Sequence, residues 1–149
     1  MGEKIVARNR RAHHEYFILE TFEAGIALQG SEIKSVRAGQ ISLAEAFVRI
    51  DGRQAWLEDA HIAPYEQASI YNHEPRRPRK LLLHSSEIRR LWNEVRQKGV
   101  TIIPLSVYLK EGRAKVEIAV AKGKKLYDKR AEIAKRDSKR EIERQYHGR

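Results

Sequence analysis

Tyr127 stands among Lys124, Lys125, Lys129 and Arg130, an aromatic ring inside a cationic cluster. That combination can stack on a base while its cations hold the phosphates on either side. The surrounding stretch is where the chain's charge collects. Residues 122–149 carry eleven Lys or Arg against five Asp or Glu, a net of +6 out of +10, whereas residues 1–121 carry nineteen against fifteen. Further cations gather at Arg8 to Arg11, at Lys34 with Arg37, and from Arg76 to Lys80. Such patches on a chain with 7% aromatic residues point to RNA or DNA, and net charge alone does not choose between the two.

Six histidines raise the question of acid–base catalysis, as in a metal-independent ribonuclease. Their spacing does not support it. His13 and His14 are neighbours that point different ways, and His61, His73, His84 and His147 fall in separate segments. There is no cysteine and no His-x₃-His pair, so neither a disulfide framework nor a metal site is expected. No phosphate-binding glycine loop occurs either. The expectation is a non-enzymatic binder that needs no cofactor. No apolar run approaches the roughly 18 residues of a membrane span, so a cytoplasmic protein without membrane contact is expected.

The elements that must position these groups follow from periodicity. Residues 1–14 read as a basic arm. Tyr16 to Phe22 is a strand that Gly25 turns or bulges into Ile26 to Leu28. Ser31 to Ala38 reads as a short helix capped by Ser31. A hairpin is expected about Asp51-Gly52, with Phe47, Val48, Ile50, Trp56 and Leu57 to bury. Pro64 to Pro78 fits neither period and reads as a loop. A second helix is capped by Ser85 or Ser86, with Ile88, Leu91, Trp92 and Val95 on one face. Thr101–Lys110 and Arg113–Ala121 then form a second hairpin about Glu111-Gly112. Its second strand alternates Ala114, Val116, Ile118 and Val120 against Lys115, Glu117 and Ala119, and one face should be solvated.

This pattern predicts a mainly β fold: a small OB-type antiparallel β-barrel with two or three short helices and a basic C-terminal tail. Residues 1–122 form the RNA-binding barrel with its basic arm, and residues 123–149 form the tail. Gly123 reads as a hinge between them. From Lys129 to Tyr146 nothing breaks a helix, but Ile133, Ile142 and Tyr146 are too sparse to pack on the barrel. The tail should therefore be disordered alone and acquire helical order against a polyanion.

Four ordered motifs carry a resemblance. They are Asn9-Arg10-Arg11-Ala12-His13-His14-Glu15-Tyr16-Phe17, Phe22-Glu23-Ala24-Gly25 through Ser35, Arg79-Lys80-Leu81-Leu82-Leu83, and Ala121-Lys122-Gly123-Lys124-Lys125 with Asp128-Lys129-Arg130. Together, from about Asn9 to Arg130, the chain resembles the small protein B family, the bacterial tmRNA-binding or SsrA-binding proteins. The resemblance implies a protein that binds the tRNA-like domain of tmRNA and delivers it to stalled ribosomes for trans-translation; a monomer is expected in the free form. In the family the tail lies in the empty messenger path and is sensed by the decoding centre.

Carried over by position, the resemblance assigns Glu23, Leu82 and Lys115 to tmRNA binding. With the basic clusters it adds Asn9, Arg10, Arg11, His14, Lys34 and Arg37. Gly123, Lys124, Lys125, Tyr127, Asp128, Lys129 and Arg130 become the ribosome-sensed element. Tyr127 stands where some members have His, and Tyr cannot become cationic, so a protonated imidazole has no counterpart here. A general RNA-binding or ribosome-assembly protein is the alternative reading, with a ribonuclease third.

Overall fold

The computed structural model describes residues 3–67, 72–97 and 99–124. In chain order these form β1 (Lys4–Arg8), α1 (Ala12–Glu15), β2 (Tyr16–Ile26), α2 (Gly30–Arg37), β3 (Ile41–Ser42), β4 (Phe47–Ile50) and β5 (Ala55–Glu58). They continue through β6 (His61–Ile62), β7 (Arg79–Leu82), α3 (Ser85–Val95), β8 (Val100–Lys110) and β9 (Arg113–Gly123). The main sheet runs β1-β8-β4-β5-β7-β2-β9, and β9 also pairs with β8. That second pairing closes β8, β4, β5, β7, β2 and β9 into a ring, with β1 added outside it. Every pairing is antiparallel. Among the described residues the mainly β barrel with three short helices is thus present.

Turn chemistry sets the two hairpins. Glu111 and Gly112 both take positive φ, 52° and 79°, as a two-residue turn matched to strand twist requires. At the other hairpin the Asp51 carboxylate accepts from the backbone N–H of Gln54 at 2.8 Å and of Arg53 at 3.3 Å, and from the Trp56 indole at 3.2 Å. The Gln54 bond is the main reason its carboxyl is held below the usual range. Alternation then directs Val48, Ile50, Leu57, Leu81, Ile102, Val116, Ile118 and Val120 into the barrel core.

Several expectations are corrected by particular contacts. The N-terminal arm is partly strand: β1 pairs with residues 106–109 of β8. Gly25 neither turns nor bulges, because β2 continues to Ile26 and Gly25 pairs with Leu82 on one side and Lys115 on the other. The irregularity lies between Ile18 and Glu20 instead. Phe47 is 40% exposed, since Val48 and Ile50 take the inward positions of β4. Gln29, not Ser31, occupies the cap of α2. Its backbone N–H donates to Glu32 at 2.8 Å, and Ser31 is drawn away to His73. His84, not Ser85 or Ser86, caps α3 by the same device with Glu87. The outer face of the β8–β9 hairpin is only partly solvated, because α1 covers its far end in a small cluster of Ala12, Ile103, Leu105, Ala119 and Ala121.

Candidate nucleic-acid interface

Strand register assembles a row of outward positions across five strands. Ile5 stands opposite Tyr108, Tyr108 opposite Lys115, Lys115 opposite Gly25, and Gly25 opposite Leu82. Glu23 lies in the next row, opposite Glu117. Two residues apart on one strand point to the same face, so Glu23, Leu82 and Lys115 meet at one open groove, bordered also by Arg53, Lys80 and Gln54. Leu82 is 53% exposed there. Gly25 keeps the centre of the row low: a Cβ at that position would stand 3.2 Å from the Leu82 Cβ.

Glu23 is the only one of the three with a fixed acceptor geometry. The Tyr108 hydroxyl donates to its Oε2, and Lys110 Nζ lies 3.6 Å from the same oxygen. The Tyr108 bond is the largest influence holding the Glu23 carboxyl below its ordinary range, with burial opposing it and Lys110 and Lys115 assisting. Burial first, and then Glu23, pushes the Tyr108 phenol up, so it remains a donor at any physiological pH.

A second groove lies at the other end of this face. It is lined by Arg8, Asn9, Arg10, His13, Ser106 and Glu117. Between the two, a smaller depression includes both Glu23 and Glu117, and so links them along β2, β9 and β8. Asn9 is held at this end: its Nδ2 donates to the Pro104 carbonyl at 3.0 Å and its backbone N–H to the Leu105 carbonyl at 2.8 Å. Arg10 is exposed in the groove. Arg11 occupies the N-cap of α1, and His14 is exposed on that helix while its neighbour His13 lines the groove.

Lys34 and Arg37 lie on α2. The Lys34 ammonium sits 5.6 Å from the Tyr65 ring centroid, and the Arg37 guanidinium reaches the Gly112 carbonyl at 3.5 Å. Gly123 is the last residue of β9, opposite Tyr16, so any change of direction begins after it. Lys124 Nζ donates to the His13 carbonyl at 2.9 Å and lies 5.1 Å from the Phe17 ring centroid. Lys125, Tyr127, Asp128, Lys129 and Arg130 lie outside the described residues.

The cluster from Arg76 to Lys80 is not the free basic patch that its composition suggests. Arg79 is fully buried and donates to Glu32 at 2.5 Å, to the Ala60 carbonyl at 2.7 Å and to the Pro75 carbonyl at 3.0 Å. Arg77 pairs with the same Glu32 carboxylate, and Arg76 pairs with Glu45 at 3.3 Å. Of the five residues, Lys80 alone turns a cation into the groove. His73 is also structural: the Ile62 carbonyl can only accept, so Nε2 carries a hydrogen and Nδ1 accepts from the Ser31 hydroxyl, both at 2.8 Å. Among the described residues no group of three or more His, Cys, Asp or Glu is placed to hold a metal ion.

Sequence reasoning missed Tyr108 and Lys110 as neighbours of Glu23. A tyrosine in an apolar strand reads as core, and only the register across β9 shows that its hydroxyl reaches β2.

Comparison with known proteins places this architecture. Residues 6–148 match the model of the SmpB protein family. An SsrA-binding protein from Desulforudis audaxviator (strain MP104C) is 61% identical over 98% of this chain and 95% of its own length. One from Roseiflexus sp. (strain RS-1) is 62% identical over 95% and 90%. A solved chain from a study described as "tmRNA-SmpB: a journey to the center of the bacterial ribosome" superposes with a TM-score of 0.67 at 53% identity, covering 78% of this chain and 82% of that one. With a family match spanning nearly its whole length and relatives this similar, the chain belongs to the SmpB protein family.

Proposed function

We infer that this protein binds tmRNA through its barrel and brings it to stalled ribosomes for trans-translation, acting as an adaptor in the cytoplasm and not as a catalyst. The observation that carries the reading is the convergence of Glu23, Leu82 and Lys115. Separated by up to 92 positions in the chain, they border one groove on three adjacent strands. A cation for phosphate, an apolar shelf and an acceptor for an N–H or 2′-hydroxyl are the complementary set that a folded RNA surface calls for. Phosphate contacts from Arg10, Arg11 and Lys80 would fix orientation around that set.

The same reading gives the segment from Gly123 through Arg130 to the ribosome. Asp128, Lys129 and Arg130 are the element sensed in the decoding centre, and Lys124, Lys125 and Tyr127 lead into it.

Electrophoretic mobility shift with tmRNA and with an ordinary tRNA, at moderate salt, tests the proposal. Clear preference for tmRNA is expected. Equal affinity for both would leave a general RNA-binding protein instead.

A further inference from the structure

We propose that Tyr108, assisted by Lys110, is a positioning residue for RNA recognition: its hydroxyl holds one oxygen of the Glu23 carboxylate and leaves the other to the groove as a single, oriented acceptor for an RNA N–H or 2′-hydroxyl. This rests on the reading that Glu23 faces RNA.

Both contacts converge on Oε2, the Tyr108 hydroxyl by donation and Lys110 Nζ at 3.6 Å. The Glu23 side chain is otherwise 41% exposed, and a glutamate on an open strand face has several rotamers to lose when it binds. Tyr108 removes that freedom beforehand. Its ring is buried, with only 7% of the residue exposed, so the hydroxyl is a fixed point set by β8 and not by solvent.

The surrounding charges make such a fixed point necessary. Glu117 stands directly across from Glu23, and like charges in that relation repel. Lys115 lies one row away, and Glu3 lies 3.8 Å from the same Lys110 ammonium. Without Tyr108, the carboxylate would be driven from Glu117 towards Lys115, and that pairing would withdraw the acceptor and occupy a cation that suits phosphate. Tyr108 resolves this with a neutral donor, which adds no charge to the face.

The test is equilibrium binding of tmRNA to the full chain carrying Glu23→Gln, Tyr108→Phe or both, with thermal unfolding of each and ¹³C-carboxyl titration of Glu23 by NMR. Glu23→Gln is expected to weaken binding on the order of tenfold or more, as for a hydrogen bond to a charged group. Tyr108→Phe should weaken it roughly three- to tenfold at an unchanged melting temperature, and should move the Glu23 titration upward. The double variant should bind no more weakly than Glu23→Gln alone, the signature of two residues acting through one carboxylate. If Tyr108→Phe keeps wild-type affinity, or costs the same factor with Gln at position 23, the positioning role is overturned while Glu23 stands. If Glu23→Gln binds like the wild type, the assignment of Glu23 to RNA fails and the positioning role fails with it.

Discussion

A carboxylate on the working face of a basic RNA-binding protein would lose affinity wherever it met phosphate, so its place has to be defined against the cations around it. On the proposed reading Glu23 meets that condition through its Tyr108 hydrogen bond, and Lys115 takes the opposite role. Lys115→Glu is expected to weaken tmRNA binding roughly tenfold near physiological salt and to lower the salt dependence by about one phosphate contact. Filter binding from 50 to 200 mM salt measures both, and an unchanged slope would take Lys115 out of the phosphate contacts. Leu82→Ala, by contrast, should weaken binding with the slope intact, because the 53% exposed side chain offers shape and apolar surface but no charge. Glu23 and Leu82 were legible in the sequence through their motifs, and Lys115 through its place on the last strand. Their spatial meeting was not, since it depends on a register in which Gly25 separates Lys115 from Leu82.

Among the elements, α2 and β7 are joined by the most consequential polar contact in the core. Glu32 has no exposed side-chain surface and serves Arg77, Arg79 and the Gln29 N–H at once. Burial pushes its carboxyl up, but these donors together hold it below the ordinary value of 4.5. Glu32→Gln leaves the fully buried Arg79 without its counter-charge and should destabilise the fold by roughly 3 to 5 kcal/mol in urea unfolding. A cost below about 1 kcal/mol would mean that the remaining carbonyl acceptors suffice. Because the folded-state pKa of Glu32 is depressed, its stabilising contribution is whole above the ordinary carboxylate range and is lost as pH falls through the lower folded value. The wild type should therefore lose stability below about pH 4.5 more steeply than Glu32→Gln. The hairpins were legible because Asp51-Gly52 and Glu111-Gly112 announce their turns and alternation fills the flanks. The strand Lys4–Arg8 was not, because three apolar residues between cations look like an arm until β8 supplies a partner. Nor was the buried fate of Arg79, which in sequence is one cation in a run of them.

At the scale of the whole molecule, the six-strand ring presents one elongated face from Lys80 and Lys115 at one end to Arg8 and Arg10 at the other, with Glu23 and Glu117 between. Part of the positive charge within the barrel is consumed internally, as Arg77 and Arg79 illustrate, while the segment beyond Lys122 carries a net of +5, the residues from 123 onward holding ten Lys or Arg against five Asp or Glu. That division predicts two separable activities. The described fold extends through Gly123, and Lys124 is tied back to the His13 carbonyl, so a cut after Lys124 keeps every contact among the described residues. The most direct measurement is tmRNA-dependent peptide tagging on stalled ribosomes in a bacterial strain lacking its own SmpB-family protein, with the full chain and the chain ending at Lys124 supplied in turn. The full chain should restore tagging, and the shortened one should bind tmRNA within about twofold of it, since it keeps the whole groove, yet give no tagging. Failure of the full chain to restore tagging despite tight tmRNA binding would contradict the adaptor role, and tagging by the shortened chain would contradict the assignment of the tail to the ribosome.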